Sequence, residues 1–273
     1  MSLSRTDFEY VRSLVRDQAA IVLDDNKDYL VEMRLSALAG EQGIEGVDEL
    51  IRRSRDLAGA SLKDLMVEAM TTNETSFFRD RHPFDAMREQ VLPELIRARG
   101  AQRELKVWCA AASTGQEPYS LAMTLREALP DLSSWRAKIL GTDISPQVLE
   151  KAASGVYSQH EVGRGLPATS LVKYFSRDGL NWVVKDELRR MCDFRELNLI
   201  QPWGALGTFD VIFIRNVLIY FDTDVKQQIL AAARRHLAPD GYLFLGGSET
   251  LLGLDLDYAR VNLGNVSAYQ LGS

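Results

Sequence analysis

Residues 105–118 read Leu-Lys-Val-Trp-Cys-Ala-Ala-Ala-Ser-Thr-Gly-Gln-Glu-Pro, an apolar run that gives way to small polar residues and then to a proline. Leu105 to Ala111 has the length and continuity of a strand buried on both faces. Pro118 to Leu129 reads as a helix with its proline near the first turn. Strand, short loop and helix together are the opening unit of a parallel α/β sheet. The unit then recurs: Lys138 to Asp143 is strand-like and Ser145 to Ala153 helical, and Phe209 to Arg215 is followed by a helix from Asp222 to Leu237. Gly241 to Gly247 adds a strand, and Ala259 to Val261 with Ser267 to Gln270 reads as a closing hairpin. These runs predict an α/β fold with a doubly wound, mostly parallel sheet. Between Gly155 and Leu199 the rhythm breaks into short alternating pieces, including Asn181 to Val184 and Met191 to Arg195. They predict a small antiparallel β insertion at about 156–197.

Upstream of Gly100 the period is helical. Phe8, Val11, Val15, Ala19 and Val22 step by three and four, which marks one apolar stripe. A second helix fits Asp28 to Ala39, with Gly40 as its C-cap, and a third fits Val47 to Leu57. A fourth begins at Ser61 as N-cap and runs through Leu62, Leu65 and Ala69. Residues 1–72 thus read as an N-terminal all-α domain and 73–99 as a linker and a helix, Pro83 to Arg99. The α/β domain occupies 100–273.

Of the 273 residues, 46% are hydrophobic and 26% charged, the balance of a globular chain able to bury a sizeable core. The formal net charge of −6 argues against a nucleic-acid partner. Cys109 and Cys192 share no ligand-like spacing with His82, His160 and His236, so neither a disulfide framework nor a metal site is expected. No apolar run approaches the ~18 residues of a membrane helix, and the start, MSLSRTDFEYVRS, lacks the apolar core of a leader. A reducing cytoplasm fits, without direct membrane insertion.

In open parallel sheets ligands bind outside the carboxyl ends of the strands. The loop after the first strand has one glycine and no G-x-G-x-x-G, which disfavours a dinucleotide pyrophosphate. Glu117, near the next helix N-terminus, would repel phosphate and could pair with an amino group; the helix dipole alone would also account for it. Asp143 ends the second strand, where a carboxylate suits a ribose diol, or else caps the helix that begins at Ser145. Asn198 and the Leu199 backbone are placed to read an adenine edge as the insertion returns to the sheet. Asn216 lies at the end of the strand Phe209 to Arg215, with Tyr220 four residues on; such a tyrosine is equally consistent with core. The ligand profile is a nucleoside with an amino group and no phosphate, which S-adenosylmethionine satisfies.

Thr71 to Asp80, TTNETSFFRD, sets hydroxyls and an amide against two aromatics and an arginine. With ASTGQEPYS (112–120), GTDIS (141–145), ELNL (196–199) and FIRNVLIYF (213–221), in this order, it resembles the chemotaxis receptor methyltransferases, the CheR family, and the resemblance spans essentially the whole chain. Gln116, where many relatives have Glu, and the Cys-Ala-Ala-Ala lead-in are small departures. The resemblance implies a class I S-adenosylmethionine-dependent, Rossmann-like methyltransferase with S-adenosylhomocysteine as product and no metal. Its acceptors would be glutamates on the cytoplasmic domain of methyl-accepting chemotaxis receptors. Asn73, Thr75, Arg79, Glu117, Asp143, Asn198, Leu199, Arg215 and Asn216 would surround the cofactor, and Arg79, Asp143 and Tyr220 would lie at the reacting centre. In some relatives the small sheet docks a receptor C-terminal tail peptide. A monomer recruited to receptor arrays is expected.

On this reading the acceptor carboxylate, with an ordinary pKa of about 4.3, needs no general base, only in-line placement. Phe77 and Phe78 are expected to wall a dry pocket, although such a pair also suits core. Arg79 would hold the non-attacking oxygen or the cofactor carboxylate, and the Tyr220 hydroxyl would add one positioning bond. Arg5, Arg12, Arg16 and Lys27, with Arg52, Arg53 and Arg55, are expected to present positive charge to an acidic receptor helix. A methyltransferase of small carboxylic acids would share every donor-site feature, but the helical domain and the insertion would be dispensable to it. A nucleotide-dependent oxidoreductase is disfavoured by the missing glycine fingerprint, and a silent cofactor sensor by Arg79 and Tyr220 together.

Overall fold

The computed structural model describes residues 3–56, 58–129, 131 and 134–272. The chain divides into two compact units, Met1–Thr72 with Tyr220–Val225, and Asn73–Ile219 with Lys226–Ser273.

In the first unit, α1 (Arg5–Ala19) buries Phe8, Val11, Val15 and Ala19, the stripe read from the sequence, and Ser4 caps it by accepting the Asp7 N–H at 3.1 Å. Val22 lies beyond the helix and is 48% exposed. Three helices pack with it: α2 (Asp28–Glu41), α3 (Gly46–Arg55) and α4 (Ala60–Met70). Gly40 is inside α2, not its cap, because the helix runs one residue further, to Glu41, and Gln42 is the C-cap. The N-cap of α4 is Gly59 rather than Ser61; a Cβ there would meet the Arg53 and Ser54 carbonyl oxygens at 2.5 Å, so the turn from α3 demands glycine. Helix α3 ends at Arg55, and Leu57, the expected last residue, lies outside the described residues. Arg34 ties α2 to the end of α4 by donating to Thr71 O (2.7 Å), Ala69 O (3.2 Å) and Thr72 Oγ1 (3.1 Å).

The expected basic surface is largely neutralised within this unit. Arg5 and Arg12 share Asp25 and Glu9, Arg52 and Arg53 share Glu49, and Arg55 meets Asp7 at 2.8 Å.

The second unit starts with α5 (His82–Ala86), a π turn at Met87–Val91 and α6 (Leu92–Ala98), where one helix was expected. Pro93, which has no amide hydrogen to donate, accounts for the irregular ladder. There follow β1 (Glu104–Ala110), α7 (Gln116–Ala128), β2 (Arg136–Asp143) and α8 (Pro146–Ser154). The insertion comprises β3 (Val156–Ser158), α9 (Gln159–Gly163), α10 (Ala168–Tyr174), β4 (Phe175–Asp178), β5 (Asn181–Val184) and α11 (Asp186–Arg189). The chain closes with β6 (Cys192–Glu196), β7 (Phe209–Ile214), a 3-10 turn at Leu218–Tyr220, α12 (Thr223–Arg234), β8 (Leu237–Leu245), β9 (Tyr258–Leu263) and β10 (Val266–Leu271).

The main sheet has the order β6-β2-β1-β7-β8-β10-β9, parallel except for β10, which runs antiparallel to both β8 and β9. Every residue of β7 is buried, as a central strand covered on both faces requires. The small sheet, β3-β5-β4, is antiparallel as expected. Met191 to Arg195, read with the insertion, instead forms β6, the edge of the main sheet, with Ile139 opposite Cys192. An edge strand is covered on fewer sides than a central one, so its sequence alternates like a half-exposed antiparallel strand. Gly141 permits this pairing: a Cβ there would meet the Phe194 ring at 2.8 Å.

Candidate active site

Strands β2, β1 and β7 are neighbours, so the loops at their carboxyl ends converge. After β1 the chain turns sharply, with Ala111 at φ 56°, Ser113 at φ 50° and Gly115 at φ 92°. Left-handed backbone at non-glycine residues is strained and persists where the surroundings over-determine it. Here Ser113 N donates to Asp143 Oδ2 at 2.8 Å, while Ser145 N donates to Oδ1 at 3.1 Å. Asp143 is 6% exposed and joins the two strand-end loops. The cap of α8 is Ser145 itself, whose hydroxyl accepts the Val148 N–H, so the capping alternative for Asp143 does not hold.

Glu117 stands in the first turn of α7 and pairs with Arg215 at the end of β7, Nη1 to Oε2 at 2.6 Å. The Arg215 side chain is 1% exposed, lies over the Phe84 and Phe213 rings, and with Nη2 reaches Asp80 Oδ2 at 2.7 Å and Arg79 O at 3.2 Å. Burial pushes the Glu117 carboxyl above its ordinary value; Arg215 and Arg79 pull it back, and Glu249 adds to the rise. The buried Arg215 Nε has no hydrogen-bond partner among the described residues.

The stretch 73–81 is strapped over these strand ends. Ser113 Oγ donates to Asn73 O at 2.8 Å, Phe78 N donates to Ser120 Oγ at 2.9 Å, and Glu74 pairs with Arg164 at 2.8 Å. Arg79 bonds back to Glu74 O, and Phe78, Asp80 and Arg81 all have positive φ. Thr75 is half-buried within the strap. Phe77 is fully buried, edge-on to Tyr157 (5.0 Å) and Phe175 (5.6 Å). It is core joining the strap to the insertion, not a pocket wall. Phe78 is half-buried against Phe84.

Leu197 N donates to Asp143 O, which brings the loop carrying Asn198 and Leu199 to the same strand end. Asn198 Oδ1 accepts Ile200 N, and Leu199 O accepts Trp203 Nε1 while Trp203 stands edge-on to Trp108. Asn216, at φ 58°, donates its N–H to Glu249. Tyr220 is half-buried, ends the 3-10 turn and groups with the helical unit, where its carbonyl accepts Val22 N at 3.0 Å. The structure therefore links Arg79, Glu117 and Arg215 in one network and Asp143 with the Asn198 loop in another. Sequence reasoning missed Asp80, Ser113 and Glu249. Asp80 could have been found, as an acid beside the arginine of the same motif; Glu249, in a Gly-Gly-Ser-Glu loop, carries no local signal.

Residues 6–71 match the CheR methyltransferase all-alpha domain, and residues 73–265 match the CheR methyltransferase SAM binding domain. The chain belongs to the CheR methyltransferase family. Chemotaxis protein methyltransferase 1 of Pseudomonas aeruginosa is 45% identical over 265 residues, 96% of each chain. Chemotaxis protein methyltransferase Cher2 of Pseudomonas putida is 42% identical over 275 residues, 99% of each chain. The chemotaxis protein methyltransferase of Escherichia coli is 37% identical over 261 residues, 93% of this chain and 88% of the relative.

This CheR-family chain is thus a methyltransferase that depends on S-adenosylmethionine, on the doubly wound fold with an all-α domain and a small antiparallel sheet that the sequence predicts. Its donor set fits that cofactor: a buried carboxylate fixed at the end of β2, a second paired with the Arg215 guanidinium, and an orphaned guanidinium donor suit a diol, an ammonium and a carboxylate. Among the described residues no helix is long and apolar enough to cross a membrane.

Proposed function

We propose that the chain esterifies glutamate side chains in the cytoplasmic domains of chemoreceptors, using S-adenosylmethionine, in chemotaxis adaptation. The observation that carries this reading is the match of both domains, end to end, to proteins named chemotaxis protein methyltransferases. A methyltransferase of small acids, the alternative, would have no use for the helical unit or the inserted sheet.

When bound, S-adenosylmethionine supplies a methyl group on a positively charged sulfur. Asp143 is assigned to the ribose hydroxyls, Glu117 to the ammonium, and Arg215 to the carboxylate side of the same ligand, with Arg79 beside it. Asn198 and Leu199 take the adenine edge; Asn73, Thr75 and Asn216 complete the enclosure. The acceptor glutamate arrives ionised, so no side chain has to remove a proton. Arg79 then steers it through the oxygen that does not attack, because a fork on both oxygens would weaken the nucleophile. The Tyr220 hydroxyl gives a single further bond. Charge is lost as carboxylate and sulfonium combine, so the strap of residues 73–81 favours transfer by keeping water away.

Residues 1–72 and the insertion at about 156–197 are assigned to receptor recognition, a receptor tail peptide adding to an edge of the small sheet. The enzyme acts as a monomer recruited to receptor arrays. Incubation with labelled S-adenosylmethionine and receptor fragments should yield base-labile methyl ester on glutamate. Label that appears only on small carboxylic acids would select the alternative.

A further inference from the structure

Strand β8 ends at Leu245, opposite Ile214 of β7, and is followed by Gly246-Gly247-Ser248-Glu249. The Glu249 carboxylate folds back over both strand ends. Its Oε2 accepts Gly246 N at 2.6 Å and Asn216 N at 2.8 Å, and its Oε1 accepts Val217 N at 3.0 Å. Three amides from two loops thus share one side chain, and bonds to a charged acceptor are about twice as strong as neutral ones. Asn216 needs such restraint, since its φ of 58° is left-handed. Gly246 allows the approach: a Cβ there would meet Glu249 Oε2 at 2.5 Å and Asn216 N at 2.9 Å.

The loop so held begins at Arg215, the partner of Glu117 and Asp80, and runs on into the 3-10 turn that ends at Tyr220. We propose that Glu249 is a positioning residue of the methyl-transfer site: by gathering the N–H groups of Asn216, Val217 and Gly246 it fixes the β7 loop in the conformation that binds donor and acceptor. This rests on the reading of the donor site given above.

Glu249→Gln keeps the length and volume but sets an amide N–H2 against a backbone donor. Gly246→Ala strains the same contact from the other loop and leaves the carboxylate in place. Each full-length variant is expected to stay folded, melting somewhat below the parent, and to bind S-adenosylhomocysteine about tenfold more weakly, with kcat lowered as well, as small misplacements at a site do. Glu249→Asp, which keeps the charge on a shorter arm, should fall between, and with Gly246→Ala it carries the measurement if Glu249→Gln does not fold. Parent-like product affinity and kcat in the folded variants would overturn the assignment, and so would a lowered melting temperature with parent-like product affinity, the mark of a plain structural cap. Product affinity needs no acceptor. If the parent binds product but methylates no receptor fragment, the acceptor reading fails alone; if it binds no product, the donor-site reading and this one fall together.

Discussion

Arg215 and Glu117 are 98 residues apart in the chain and 2.6 Å apart in the structure, at the mouths of adjacent strands, with side chains 1% and 12% exposed. Breaking a buried pair from one side strands the other charge. Arg215→Ala should therefore destabilise the chain by about 3–5 kcal/mol, measured by urea unfolding, and adding Glu117→Gln should recover part of the loss.

The raised pKa of Glu117, caused first by burial, fixes the sign of two pH effects. Product affinity should be greatest where the carboxylate is ionised and weaken as pH falls through the raised pKa, because protonation removes the charge facing the ammonium. The stability of the free protein should show the opposite contribution. A carboxyl that holds its proton more tightly when folded favours folding below its ordinary value of 4.5, and that contribution is lost as pH rises through the folded pKa. Calorimetric titrations with S-adenosylhomocysteine from acid to neutral pH should show the first trend, and Glu117→Gln should flatten it.

Asp143→Asn places an amide donor against either Ser113 N or Ser145 N. A buried donor left without its acceptor costs about 1–3 kcal/mol of stability, and because the charged acceptor for the ribose hydroxyls is lost as well, product affinity should drop about tenfold or more in calorimetry. Parent-like affinity would remove Asp143 from the donor site.

Arg79→Ala should lower methyl transfer by more than about tenfold in a receptor-fragment assay, as loss of a positioning contact does. Near-normal turnover would refute its role toward the acceptor.

Phe77→Ala should destabilise the second unit by about 3–5 kcal/mol, a value typical of a large side chain removed from core. Thermal melting will separate this from Phe78→Ala, whose half-buried ring should matter less.

Continuous apolar runs at Leu105 to Ala111 and Phe209 to Arg215 were enough to find the central strands, because burial on both faces leaves no room for polar alternation. The stripe on α1 was legible for the related reason that a helix with one covered face repeats every three to four residues. Strand β6 was misread because an edge strand has the local pattern of an antiparallel one, and only its pairing with β2 tells them apart. Glu117 and Asp143 could be found from their places at element ends. Their partners could not: that Arg215 faces Glu117, or Glu249 faces Asn216, depends on which strands lie side by side, and nearby sequence does not encode that order. The arginines of the helical unit misled in the other direction, since the acids that neutralise them come from neighbouring turns and loops.

Between β2 and β6 the chain leaves the main sheet, builds three short strands, and returns as the sheet's outermost strand. Such a detour is graftable in outline, because changing its length disturbs no pairing among the five inner strands. One condition of the graft lies at Tyr157. Tyr157 Oη donates to Thr114 O at 2.7 Å and its ring packs on Phe77, so a transplanted module lacking a phenol at that position would slacken the turn after β1 together with whatever new specificity it brought.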